Sequence, residues 1–203
     1  MALRLLQHRE SDGTRRVIAA DGPDAHFVAG ATTVRKLAAE AIANGQSLAE
    51  AVVGRGPAGV VDLAAELAAG KLLASIDHPD PAHLHLTGTG LTHLGSAEGR
   101  DAMHRTPAAA EQQTDSMRIF LEGLEGGKPD AGETGAQPEW FYKGNGAHVA
   151  GPGAPLPMPH FAQDGGEEPE LAGIYLIGPD GTPHRLGISL ANEFSDHVTE
   201  RHN

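Results

Sequence analysis

ELAGIYLIGPDGTPHRLGISLANEF, residues 170–194, reads as strand, turn and strand. Two apolar runs rich in Ile, Leu and Tyr flank the turn signal PDGT, the pattern of an antiparallel hairpin. Immediately before it stand Glu168 and Glu170, and near its end stands Glu193. Side chains two apart on a strand point the same way, about 7 Å apart along the backbone. Glu168 and Glu170 therefore share a side once the strand begins that early, and the returning strand carries Glu193 toward them. Pro169 between the pair donates nothing to a ladder and suits a strand entrance or edge.

Three carboxylates meeting without counter-charges repel one another, and a divalent cation removes that repulsion. All-oxygen ligation selects a hard ion, Mg²⁺ first, with Mn²⁺ or Ca²⁺ as substitutes. On spacing alone, solvated acids at strand ends of an acidic protein are the simpler account, because E-x-E is common.

Upstream, ALRLLQ (2–7) and RRVIAA (15–20) read as strands around the turn ESDGT, and AHFVAG (25–30) as a third. TTVRKLAAEAIANG (32–45) opens on a threonine cap and ends at a glycine, which predicts a helix with Val34, Leu37, Ala38, Ala41 and Ile42 on one face. SLAEAVVGRG (47–56) and VVDLAAELAAG (60–70) predict two more. Residues 1–75 thus form a small N-terminal α+β domain. Residues 76–203 differ in character: a short strand in HLHLTG, a Gly/Thr-rich loop, a helix over 111–127, the aromatic stretch PEWFYKGNG, and a Gly/Pro-rich passage leading to the hairpin.

The chain has 203 residues, enough for a real core, and a formal net charge of −12. That charge argues against nucleic acid or an anionic membrane surface as the main partner. Cysteine is absent, which removes disulfides and thiolate chemistry. No apolar stretch reaches the roughly 18 residues of a membrane span, and the charged start MALRLLQHRESDG is not a signal peptide. A cytoplasmic protein is the expectation. GTGLTHLG (88–95) lacks the Gly-Lys-Ser/Thr ending of a phosphate loop and is not taken for one.

EPELAGIYLIG followed by GISLANEFSDH resembles the signature of the fumarylacetoacetate hydrolase superfamily, in which Glu-x-Glu opens an apolar strand and Asn-Asp-x-Ser supplies a third metal ligand. Asn192, Glu193, Phe194 and Ser195 take those four places, with Glu for Asp at the ligand. PEWFYKGNG is similar to the family's Pro-x-x-Phe-x-Lys segment and puts Lys143 at its lysine. The likeness covers roughly residues 85–203. It implies Glu168, Glu170 and Glu193 as Mg²⁺ ligands, Lys143 and Ser195 as substrate contacts, and a β-rich roll, incomplete here, after the N-terminal domain. The family's proton-transfer pair is a His and a Glu three apart. His93 and Glu98 stand five apart, a departure that points away from the hydrolytic members and toward the branch dehydrating 2-keto-3-deoxy sugar acids.

The resemblance therefore implies a Mg²⁺-dependent lyase acting on a small-molecule 2-keto acid through an enolate, with His93 and Glu98 moving protons and a homodimer as the full-length assembly. A carbon–carbon hydrolase of an acylpyruvate or 2,4-diketo acid, and a metal-binding protein without turnover, are the alternatives. His83, His85 and His104 are read as surface or loop residues. Because the last strand ends near Phe194 with no later strand to cover it, the chain is expected to be the N-terminal part of a longer one and to be inactive alone.

Overall fold

A computed structural model describes residues 3–89, 115–136 and 140–200, with antiparallel sheets and helices in an α+β arrangement. The chain groups into two compact units, Met1–Leu84 with Gly146–Asp196, and His85–Asn145 with His197–Asn203.

In the first unit, β1 (Arg4–Arg9), β2 (Arg15–Asp21) and β3 (Asp24–Val28) form an antiparallel meander. The β1–β2 turn closes on Asp12, whose carboxylate accepts from the Thr14 backbone N–H at 2.8 Å, while Gly13 takes a left-handed φ of 88°. Helices α1 (Val34–Ala43) and α2 (Leu48–Arg55) follow. Thr33 caps α1, and Ser47 with Glu50 forms a reciprocal capping box on α2. β4 (Pro57–Val60) pairs with β3, α3 (Leu63–Ala68) starts at the cap Asp62, and β5 (Leu72–Leu73) pairs with β1. The sheet order is β4-β3-β2-β1-β5.

This sheet is covered on both faces, which explains why β2 reads VIAA without alternation. Val17 and Ala19 pack with Val28, Val34, Leu37 and Val52 on the α1–α2 side. Ile18 and Ala20 pack with Ala25, Val61, Leu72 and Leu63 on the other side, which carries the start of α3. Two polar side chains are fully buried in β1. Gln7 accepts from the first N–H of α1, at Val34 (3.0 Å), and donates to the Ala74 carbonyl (2.8 Å). That satisfies an orphan helix donor without water. His8 meets the Glu66 carboxylate of α3 at 2.8 Å, and Lys71 lies 3.3 Å from the same oxygen.

The hydrogen bond from His8 is the largest cause holding the Glu66 carboxyl below the usual carboxylate range; desolvation opposes it and Lys71 adds to it. A depressed folded value means the pair stabilises the fold above the unfolded glutamate pKa of about 4.3 and is lost as pH falls through the lower folded value. Denaturant unfolding between pH 3 and 7 is therefore expected to show a shallower acid limb for Glu66→Gln than for the wild type. An unchanged limb would remove this pair from the acid response.

The long hairpin β8 (Gly166–Ile177) and β9 (Pro183–Ser195) is a separate two-stranded sheet. Its turn is closed by Gly178 N–H on the Thr182 carbonyl (2.8 Å), with Asp180 accepting from both the backbone and hydroxyl of Thr182. One face presents Leu171, Tyr175, Ile188 and Leu190 to solvent, and the opposite face carries the three glutamates.

The second unit contains β6 (His85–Thr89) paired antiparallel with β7 (Trp140–Asn145), and helix α4 (Asp115–Gly126), on which Phe120 is buried. Among the described residues, no helix is long and apolar enough to cross a membrane.

Candidate metal centre

The hairpin register builds the cluster. β8 begins at Gly166, so Glu168 and Glu170 both lie within the strand and on one face. Glu193 stands directly opposite Glu168, and Glu170 stands opposite Ala191. One carboxylate oxygen from each of Glu168, Glu170 and Glu193 lies within 4.8 Å of the others. Oxygens bound to one hard cation at about 2.0–2.6 Å sit at most roughly 4–5 Å from one another, so three ligands of a single ion fit this triangle. Glu168 and Glu193 are half-buried and Glu170 is exposed, which leaves the cluster open to solvent on one side.

The segment Asn192–Ser195 does more than deliver Glu193. The Ser195 hydroxyl donates to Glu168 Oε1 at 2.7 Å, and the Asn192 side-chain oxygen accepts from the Glu168 backbone N–H at 3.0 Å. Both contacts hold Glu168, one at its carboxylate and one at its main chain. Hydrogen bonds of this kind fix a ligand's orientation before the ion arrives. The part played by Asn192 was not legible in the sequence; its place next to Glu193 was the one available signal.

Lys143 lies on β7, half-buried, with its ammonium 5.4 Å from the centre of the Phe141 ring. His93 and Glu98 lie outside the described residues. His83 is exposed and paired with Asp80 at 2.8 Å, and His85 is exposed on β6 with its ring edge-on to Tyr142. His104 also lies outside the described residues.

Fold and site together define an α+β protein with an oxygen-only carboxylate cluster on one face of a β-hairpin. No family model, curated protein or solved structure matches the chain.

Proposed function

We propose that Glu168, Glu170 and Glu193 bind Mg²⁺, with Mn²⁺ as a substitute, and that the protein is a metal-dependent hydro-lyase dehydrating a 2-keto-3-deoxy sugar acid. The observation that carries the metal site is the triangle of carboxylate oxygens within 4.8 Å on one hairpin face. Support for the substrate class comes from the order of the motifs: Glu-x-Glu, the apolar strand, then Asn192-Glu193-Phe194-Ser195, with Lys143 upstream.

When bound, the cation supplies Lewis acidity to a chelated 2-keto acid and so acidifies C3. The chain does the rest. Ser195 and Asn192 keep Glu168 oriented. Lys143 offers a positive charge to the substrate carboxylate. His93 and Glu98 are the proton carriers: one takes the C3 proton, the other gives a proton to the C4 hydroxyl, which leaves as water. The remaining C3=C4 unsaturation then tautomerises. We assign this activity to the cytoplasm and to a homodimer.

The test is to incubate full-length protein with 2-keto-3-deoxypentonate and Mg²⁺. Loss of water without pyruvate release is the expected result. With an acylpyruvate or 2,4-diketo acid supplied in its place, release of pyruvate together with a carboxylic acid, and no loss of water from the pentonate, would establish carbon–carbon hydrolysis instead. If Mg²⁺ raises thermal stability while no keto acid adds protection or is consumed, the protein binds metal without turnover.

A further inference from the structure

We propose that Gly88 is a positioning residue that sets the direction of the Lys143 ammonium, through a bulge in the β6–β7 ribbon and the Phe141 ring. Lys143 as a substrate contact rests on the function proposed above; its aiming by Gly88 rests on geometry alone. Leu86 pairs with Gly144 and Thr87 pairs with Tyr142, so the register shifts by one residue at Lys143, the extra residue of β7. A bulge of this kind kinks its strand and turns a side chain away from the ordinary pleat.

Lys143 stands two residues after Phe141 on β7, and its side chain, like the Phe141 ring, runs over Gly88. A β-carbon built on Gly88 would overlap the Phe141 ring and lie 2.6 Å from Lys143 Cε. Gly88 is buried, opposite Phe141 in the ladder, and has an ordinary negative-side backbone rather than a left-handed one. Backbone conformation therefore does not demand glycine there; the space above it does. An aromatic ring laid across a strand glycine restores the packing that the missing side chain leaves out. The ring in turn sits within cation–π range of Lys143, at 5.4 Å. The Phe141 ring and the Lys143 stem thus share the space above Gly88, side by side, with the ammonium within reach of the ring.

The experiment uses full-length protein reductively ¹³C-methylated at its lysines, with the Lys143 resonance assigned by its loss in Lys143→Arg. In the wild type that resonance is expected upfield, shifted by the Phe141 ring. Gly88→Ala is expected to return it toward the position of exposed lysines. In the same variant KM for the keto acid should rise roughly tenfold to a hundredfold, as for a displacement of order 1 Å, with kcat changed far less. Adding Gly88→Ala to Lys143→Ala should raise KM no further. If Gly88→Ala fails to fold, Phe141→Leu removes the plate without adding bulk, and the same loss of shift is expected.

A Lys143 resonance unmoved by these variants overturns the proposal. So does a KM increase from Gly88→Ala that persists in full without Lys143. If Lys143→Ala leaves KM untouched while Gly88→Ala moves the resonance, the aiming stands and the substrate role of Lys143 falls.

Discussion

Glu193→Gln in the full-length protein is expected to abolish Mg²⁺-dependent turnover, by about 10³-fold or more. The substitution keeps volume and polarity but replaces an anionic oxygen with a neutral amide, in a cluster of three. Losing one charged ligand removes several kcal/mol of charge stabilisation, and each 1.36 kcal/mol is tenfold in rate. Ser195→Ala should cost less, about 10-fold to 100-fold in metal affinity or activity, because the hydroxyl touches Glu168 and only orients it. The two effects are separable from misfolding. Without cation, Glu193→Gln removes one of three adjacent negative charges, so the metal-free variant should melt no lower than the metal-free wild type. Its thermal response to Mg²⁺ should vanish. A metal-free variant that melts several degrees lower, or one that still responds to Mg²⁺ as the wild type does, would mean that Glu193 is a structural residue.

Ile18→Ala is expected to destabilise the first unit by about 3–5 kcal/mol, the upper part of the range for such truncations. Ile18 is fully buried at the centre of β2, the middle strand of the five, paired to Leu6 on one side and Phe27 on the other. Its buried cluster contains Ala20 and Ala25, whose short side chains have no reach into the space it would vacate. The backbone around it is locked by ladders on both sides, so the cavity stays open. Urea unfolding should show a lower midpoint with an unchanged slope. Val53→Ala, on the exposed side of α2, should stay within about 0.5 kcal/mol. An Ile18→Ala effect below about 1 kcal/mol would mean the cluster repacks far more freely than alanines allow.

What the sequence revealed followed the strength of its local signals. The hairpin was legible over 170–194 because two alternating or apolar runs flank an unambiguous Asp-Gly turn; its first strand begins earlier, at Gly166, and the register brings Glu168, Glu170 and Glu193 together. α1 and α2 were legible from their caps, Thr33 and Ser47. Where tertiary pairing decides, the pattern was silent. β4 hides in PAGV, because an edge strand tolerates proline and glycine that would break a central one. Val60 and Val61 read as the start of a helix, yet Asp62 caps it and the helix begins at Leu63. β5 is two residues long, too short for any period to show. Gln7 and His8 read as ordinary strand residues, and their burial depends on Val34, Ala74 and Glu66, all distant in sequence. Lys143 was singled out by its motif neighbours, but nothing local showed that it is a bulge residue lying over Gly88.

Chain order and sheet order disagree at one place. β1, β2 and β3 join through short turns and can zip up one after another, whereas β5 reaches β1 only after the intervening helices are laid down, and the Gln7–Ala74 bond closes a loop of 67 residues. Closing a loop that long carries an entropic cost before any contact repays it. The β1–β5 pairing thus carries the largest entropic cost in the sheet, and Gln7, bonded to both Val34 and Ala74, ties the start of α1 to that far edge through a single side chain.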